Sequence, residues 1–405
     1  MKQSAIDRKV EFIMEIGKAL HVNGVSAQNL EEALVKLSNK LDLQGQFFAT
    51  PTVIIASFDT DEGKKNSMTR VSPGIIDLQK LMRIDRIGDS VLADKLSPEE
   101  ALKHLHDLSQ SKRLYPAILE VLAYAIVAGA AAIFFKGGFK EFYLSIGCGV
   151  IVGIINELTF NNALSKSFEF IAALFVSLAT ALLFSYSGDF SIQLVTIASL
   201  IVLIPGLTLT ISMTELATNN LAAGTARLMQ AILTFFKLGF GVAIGTSIVA
   251  SSVHGLKFFE KSHSPFLLDF TWPALIAAAF AFTILFRAKL LQYPWVLAAG
   301  IVAFFTTQSA SMIYGSDLGA FIGGLAVGLF ANFYARFRKH PAALISMPGL
   351  ILLVPGSIGF RGIASLVHKD TLAGISATFD MFMIAIALVS GLLLANIFLP
   401  PKRSL

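Results

Sequence analysis

Residues 204–220, IPGLTLTISMTELATNN, decide the fold because they interrupt one of the most apolar regions of the chain. Proline lacks a backbone N–H and clashes with the preceding helical turn, whereas glycine permits positive φ, so a Pro-Gly pair ends a helix. Residues 354–370, VPGSIGFRGIASLVHKD, repeat the arrangement. The alternative for each stretch is a loop outside the membrane, but the recurrence favours two broken helices.

The composition places most of the chain in a membrane. Of its 405 residues, 55% are hydrophobic and only 15% are charged, whereas charged residues approach a quarter of a soluble protein. The net charge of +5 is modest and reflects loop topology, so no nucleic-acid partner is expected.

Residues 1–113 are predicted to form a soluble α+β domain on the cytoplasmic side. Apolar residues recur there at helical spacing, and the runs TVIIASF and SMTRVS predict two strands of a hairpin. Ser26 is the expected N-cap of the second helix, and Ser97 with Glu100 predicts a capping box. The N-terminus has no uninterrupted apolar core, so no cleavable signal is expected.

Ten apolar segments follow, each near the roughly 20 residues that span a bilayer. They lie at about 116–135, 141–163, 168–186, 190–206, 222–250, 270–287, 293–313, 317–335, 341–355 and 372–399. Basic residues near the segment ends, strongest at RFRKH, favour both termini in the cytoplasm. The predicted parts are a first membrane repeat (114–250), an external linker (251–265) and a second membrane repeat (266–405).

An internal repeat relates the two membrane parts. Pro205 and Pro355 are 355 − 205 = 150 residues apart, and this offset also matches Leu216 with Leu366 and the Ala-Gly pairs ending at residues 224 and 374. Five segments per repeat is an odd number, so the second repeat enters the membrane from the opposite side. The predicted fold is an α-helical polytopic membrane protein with ten transmembrane helices in two inverted five-helix repeats. Secondary transporters have this organisation and bind substrate on broken helices at the repeat interface.

The chain resembles the threonine/serine exporter family in IPGLTLTISMTELATNNLAAGTARL, PGSIGFRGIASL and the N-terminal TRVSPGIIDLQKL. The resemblance covers essentially the full length and implies export of threonine and serine, driven by the proton motive force, across a bacterial inner membrane. Relatives that split the two halves are associated with dicarboxylates such as succinate, so the substrate stays open between the two classes. The family often carries an aspartate where this chain has Glu215.

The predicted substrate site follows from the two breaks. A helix that restarts after a break directs its positive N-terminal end at a carboxylate, and nearby hydroxyls and amides supply hydrogen bonds. Arg227 is the expected cation for a substrate carboxylate or for Glu215, and its alternative role is an anchor at the membrane surface. The candidate substrate-binding residues are Pro205, Gly206, Thr208, Thr210, Glu215, Asn219, Asn220, Arg227, Pro355, Gly356, Ser357 and Arg361.

Two carboxylates inside apolar segments, Glu157 and Asp380, are candidates for proton coupling, because charge inside a bilayer is costly and burial raises a carboxyl pKa. The alternative for each is a structural, hydrogen-bonded carboxyl group. Lys237 lies well inside the fifth segment and either pairs with an acid or reaches the surface.

No cofactor, metal site or catalytic motif is expected. His104 and His106 lie on different sides of a helix, and HExxH, GxSxG and GxxxxGK do not occur. The expected partners are a small-molecule substrate (threonine, serine or a dicarboxylate), protons and membrane lipid, and a homo-oligomer is compatible with the sequence. A membrane-tethered hydrolase using Ser57, Asp59, Asp61 and His21, or a channel, are the alternatives.

Overall fold

The computed structural model describes residues 2–60, 63–72, 74–160, 162–251, 270–353, 356–367 and 370–401. The N-terminal unit contains, in order, α1 (Lys2–Val22), α2 (Ala27–Lys40), β1 (Gln44–Thr50), β2 (Val53–Thr60), β3 (Gly63–Arg70), α3 (Leu78–Leu92) and α4 (Pro98–Ser109). The remaining helices are α5 (Ala117–Phe134), α6 (Phe139–Thr159), α7 (Phe168–Ser187), α8 (Ile192–Leu200), α9 (Gly206–Ala217), α10 (Leu221–Ala250), α11 (Thr271–Leu285), α12 (Tyr293–Tyr314), α13 (Ser316–Arg338), α14 (Ala343–Ile351), α15 (Gly356–Val367) and α16 (Thr371–Phe398).

The N-terminal unit packs helices against a three-stranded antiparallel sheet of order β1-β2-β3. The predicted hairpin is β2–β3, with Ile54 opposite Thr69; β1 was not foreseen, because QGQFFAT is short and begins with polar residues. The capping box of Ser97 and Glu100 is confirmed. Ser26 is the N-cap residue of α2, as predicted, although its side chain makes no cap hydrogen bond.

The N-terminal unit is joined to the membrane part by backbone hydrogen bonds. The Leu78 N–H donates to the Phe286 carbonyl at 2.9 Å, and the Ala27 N–H donates to the Glu215 carboxylate at 3.0 Å. Since the first N–H groups of a helix have no partner within it, the N-terminal ends of α2 and α3 each obtain one partner from outside the unit. The unit is therefore docked on the membrane helices.

Within the described residues, seven helices are long and apolar enough to cross a membrane, and eight if α14 and α15, bent by 42°, form one span. The chain is thus a multi-pass membrane protein with a small N-terminal sheet. Helix α11 is apolar but only 15 residues long, and α8 has nine residues. Ten transmembrane segments in inverted repeats stay a prediction, and the predicted linker 251–265 lies, apart from Ser251, outside the described residues.

The elements of the two halves nevertheless correspond closely. Helices α9 and α15 begin 356 − 206 = 150 residues apart, as do α10 and α16 (371 − 221 = 150). A Cβ on Gly224 would lie 2.7 Å from Leu216 Cγ, and a Cβ on Gly374 would lie 2.5 Å from Leu366 Cγ. The residues that match in sequence therefore form the same glycine–leucine packing contact in both halves. It lies at the turn from α9 to α10 in the first half and at the turn from α15 to α16 in the second.

The first break is shorter than expected. Helix α8 ends at Leu200 and α9 begins at Gly206, so the unwound segment is 201–205 and the threonines after it are helical. Thr210 Oγ1 donates to the Gly206 carbonyl at 3.2 Å, and Thr214 Oγ1 to the Thr210 carbonyl at 2.9 Å. These hydroxyls satisfy carbonyls of their own helix, a common role for threonine in membrane helices, and do not cap unwound backbone.

Candidate functional site

A cavity of about 1610 Å³ lies between the N-terminal unit and the membrane helices. Pro205 and Thr208 from the first break line it, together with Lys18 and Asp77 of the N-terminal unit. Thr208 lies in the first turn of α9, where helical N–H groups have no partner within the helix. The first break is therefore open to the side that carries the N-terminal unit.

The second break lies directly against the first. A Cβ on Gly356 would lie 2.6 Å from Ile204 Cγ2 and 3.7 Å from Gly206 Cα. Only a residue without a side chain allows this approach at the start of α15. Pro355 lies outside the described residues, and Ser357 is half-buried in the first turn of α15. The fold thus brings two segments that are 150 residues apart in sequence into contact.

Glu215 and Arg227 form a buried, two-pronged ion pair. Arg227 Nε lies 3.0 Å from Glu215 Oε2 and Nη2 lies 3.1 Å from Oε1, and the Glu215 side chain is 0% exposed. The carboxylate therefore accepts three hydrogen bonds, two from Arg227 and one from the Ala27 N–H. Arg227 is not among the described residues that line the cavity. Of its two expected partners, a substrate carboxylate and Glu215, the structure shows Glu215. Its contact with a substrate carboxylate stays a prediction.

Asn219 and Asn220 form the turn between α9 and α10. Asn219 has a φ of 64°, a left-handed conformation that asparagine tolerates better than most residues. The Asn220 N–H donates to the Glu215 carbonyl at 2.8 Å. Both residues thus fix the helix that carries Glu215.

Arg361, the other predicted cation, is exposed on α15. Its guanidinium lies 5.7 Å from the centroid of the Phe135 ring, at the end of α5 remote from the N-terminal unit. The structure therefore separates it from Arg227 and from the cavity. Its substrate-binding role stays a prediction.

Glu157 lies in the last turn of α6, because the helix ends at Thr159 and not near residue 163. Arg113 Nη1 donates to both Glu157 oxygens at 2.9 and 2.8 Å and lies 3.8 Å from Glu120. Glu120 in turn accepts from Arg287 at 2.9 and 3.3 Å. This charged chain connects α6 to α5 and to the segment after α11.

Glu120 and Arg287 were missed by the sequence reasoning, although both are more than nine-tenths buried. Glu120 is the lone acid of the apolar run AILEVLAYAIVAG, and the rule that selected Glu157 would have found it. Arg287 also lies 4.0 Å from Asp77, so the network reaches the N-terminal unit. Both residues line the cavity.

Asp380 lies within α16, on a face that is exposed in this chain. Phe379 and Ile375 on the same helix are also exposed, as expected of a lipid-facing surface. The structure does not bring Asp380 together with Glu157. Its role in proton coupling stays a prediction.

His21 is buried beneath the ion pair of Glu215 and Arg227. Its Nε2 lies 3.1 Å from the Pro51 carbonyl oxygen. Burial lowers the pKa of this imidazole below its ordinary value, and the Arg227 charge lowers it further, against the raising effects of the hydrogen bond to the Pro51 carbonyl and the Glu215 charge. A buried neutral histidine bound to a backbone carbonyl favours a structural role.

The residues named for a hydrolase do not assemble in the described part of the chain. Asp59 lies on the exposed face of the sheet, 3.9 Å from Lys64, away from buried His21, and Asp61 lies outside the described residues. No group of three or more metal-binding side chains occurs within those residues.

Comparison with known proteins assigns the family. A family model described as a threonine/serine exporter matches residues 11–249, and a second, described as "Threonine/Serine exporter, ThrE", matches residues 271–398. The chain belongs to the threonine/serine exporter family. The resemblance seen in the sequence is thereby confirmed.

Several fungal proteins are similar to this chain. The chain is 30% identical over 368 residues to pheromone-regulated membrane protein 10 of Candida albicans (strain WO-1), a match that covers 87% of this chain and 33% of that protein. It is 26% identical over 385 residues to the Yarrowia lipolytica protein of that name (91% and 31%), and 27% over 361 residues to the Eremothecium gossypii protein (86% and 48%). The chain spans about a third to a half of the length of these relatives. No solved structure matches it.

Proposed function

We propose that this protein exports small amino acids, threonine and serine, in exchange for protons. The observation that carries the proposal is the contact of the two breaks at the inner end of one large cavity. A cavity that is lined by Pro205 and Thr208 and by Ile204, which in turn contacts Gly356, is what an alternating-access carrier would show in one of its two states. Family membership supports the same reaction class.

The proposed mechanism uses the two halves as inverted repeats of five segments each. The cavity beside the N-terminal unit would then face the cytoplasm, with both termini on that side. In the other state, rearrangement at the contact of the breaks would expose Ser357 and the start of α15 to the opposite side. Irregular backbone at this depth is tolerated because it lines a water-filled cavity.

Proton coupling is assigned to Glu157 and Asp380. Glu157 is held by Arg113 near the cavity, and protonation of this carboxyl group would release the arginine toward Glu120, 3.8 Å away. Asp380 lies in the second half, remote from that network. One carboxylate in each half would allow a proton to be taken up on either side of the membrane.

The test is flux into and out of proteoliposomes that contain the purified chain. Threonine, serine and succinate, each radiolabelled, are compared with and without a pH gradient. Proton-driven movement of the two amino acids is expected, with weaker movement of succinate. Succinate flux alone would transfer the assignment to dicarboxylates, and flux that saturates for no solute would favour a channel.

A further inference from the structure

The cavity requires a cation that can meet a substrate carboxylate. Arg227 is bound to Glu215, and Arg287 is bound to Glu120 and only 7% exposed. Arg227 does not line the cavity; besides Arg287, the described membrane part contributes two cations to the lining, Lys166 just before α7 and, on α10, Lys237. This side chain is 42% exposed, so its ammonium group is accessible from the cavity.

Lys237 belongs to a polar strip on one face of α10. Gln230, Thr234 and Lys237 are spaced by four and three residues, which places them on the same side of a helix, and all three line the cavity. Within the part of the chain that the structure describes, the Gln230 side chain forms no hydrogen bond with another protein group. The strip lies in the same cavity as Thr208 and the first break.

An acid accompanies the lysine. Lys237 Nζ lies 3.4 Å from Glu169 Oε2 and donates to the Lys166 carbonyl at 2.8 Å. The Glu169 side chain is 27% exposed and also lines the cavity. At 3.4 Å the pair is loose compared with the 2.7–2.9 Å of a strong charge-assisted bond, and a water-filled cavity weakens it further. A ligand that offers both charges can replace this contact.

We propose that Lys237 and Glu169, with Gln230 beside them, form a binding site for the zwitterionic head of an amino acid. Lys237 and the Gln230 amide donate to the substrate carboxylate, while Glu169 accepts from the substrate ammonium group. A dicarboxylate lacks the ammonium group, and its second carboxylate is repelled by Glu169. Glu169 therefore determines specificity between the two substrate classes. The site rests on the proposed transport function but can be measured without it.

The experiment is equilibrium binding of threonine and of succinate to the purified full-length protein, followed by transport in proteoliposomes. Lys237→Gln should weaken threonine binding about tenfold or more, as expected for a lost charge-assisted bond. Glu169→Gln should weaken threonine binding to a similar degree while leaving succinate binding equal or tighter. Lys237→Arg retains the charge and should bind threonine more tightly than Lys237→Gln.

The matched control is Lys140→Gln. Lys140 also pairs with an acid, Asp189, and is 52% exposed, but it does not line the cavity; its substitution should leave binding unchanged. Equal threonine affinity in all variants, or no threonine binding by the unaltered protein, overturns the site. Transport of threonine with unchanged affinity in Lys237→Gln would overturn the site and keep the proposed function. Threonine binding that depends on Lys237, without any transport, would keep the site and overturn the proposed function.

Discussion

Gly206 and Gly356, 150 residues apart, lie against each other at the starts of α9 and α15. The position of a Cβ on Gly356 lies 3.7 Å from Gly206 Cα and 2.6 Å from Ile204 Cγ2. Protein interiors are packed too densely to absorb an added methyl group at such a distance without movement. The contact of the breaks is therefore a point where a small change in volume should affect the whole carrier.

Substitution of Gly356 by alanine should lower the transport rate and destabilise the protein by about 1–3 kcal/mol through overpacking. The double variant Gly356→Ala/Ile204→Ala removes the opposing methyl group and should recover part of both. The measurements are threonine flux and the midpoint of thermal unfolding. Gly147→Ala is the control, since a Cβ there meets nothing within 4 Å, and equal losses in the two alanine variants would contradict the special role of Gly356.

Cysteines at the two breaks should report their access from opposite sides. In a Cys148→Ser background, Thr208→Cys should react with an impermeant thiol reagent through the cavity, from the side of the N-terminal unit. Ser357→Cys should react from the other side in those molecules that expose the second break. Labelling is measured in sealed vesicles of known orientation. Reaction of both cysteines from one side only would refute the inverted repeats.

Removing Arg227 should leave Glu215 as a buried, unpaired carboxylate. Arg227→Gln is expected to destabilise the protein by about 3–5 kcal/mol, because the cost of burying the charge is no longer offset. Glu215→Gln/Arg227→Gln should recover most of that loss. Calorimetry or a denaturant titration of the detergent-solubilised protein measures both variants.

The same variant tests the predicted substrate role of Arg227. If this arginine also binds the substrate carboxylate, the half-saturation constant for threonine should rise about ten- to a hundredfold in both the single and the double variant. The amount of inserted, folded protein is determined in parallel. A half-saturation constant that returns to normal in the double variant would limit Arg227 to its ion pair.

Replacement of Glu157 by Gln, or of Asp380 by Asn, should abolish flux driven by a pH gradient while retaining exchange of labelled for unlabelled threonine. Each change keeps the size of the side chain and removes its titratable proton. Gradient-driven uptake and exchange are measured on the same vesicles, with Asp317→Asn, an exposed position, as the control. Normal gradient-driven flux in both variants would exclude these carboxylates as proton carriers.

His21 should make folding stability depend on pH. Because its pKa in the folded state is below the ordinary 6.5, the unfolded state binds the proton more strongly. The resulting loss of folding stability is absent above pH 6.5 and grows as the pH falls toward the pKa of His21 in the folded state. Between pH 7.5 and 5, His21→Gln should lose less stability than the unaltered chain. His104→Gln, on the exposed side of α4, should behave like the unaltered chain; identical pH profiles in all three would refute the assignment.

The sequence was most informative where a residue type has one strong physical consequence. Pro205 and Gly206 located the break within five residues, because proline and glycine act on their own backbone. The match of Leu216–Gly224 with Leu366–Gly374 located the repeat, because a glycine against a leucine side chain permits one close contact. The lone carboxylate at residue 157 was found for the same reason, since a charge in an apolar segment is costly wherever it lies.

The pairing of distant charges could not be read from the sequence. Arg227, twelve residues after Glu215, was an expected partner of that carboxylate. Nothing in the neighbouring sequence indicated that the Ala27 N–H would also donate a hydrogen bond to it. Arg287 follows an apolar segment, where a basic residue usually marks the membrane surface, but it lies buried against Glu120. Coulomb attraction depends on distance in space. Glu120 and Arg287, 167 positions apart, approach through the packing of membrane helices, and Ala27 and Glu215, 188 positions apart, approach through docking of the N-terminal unit.

The sequence by itself determined that the chain crosses a membrane several times and that a helix breaks at Pro205 and Gly206; the inverted repeats stay a prediction. These properties follow from hydrophobicity, backbone geometry and periodicity, which act over a few residues. Only the tertiary structure decided that the two breaks meet at Gly206 and Gly356, that Arg227 is bound by Glu215, and that Lys237 and Glu169 line the cavity together. Those relationships depend on how helices pack side by side, and close packing is a property of the assembled molecule that no single segment contains.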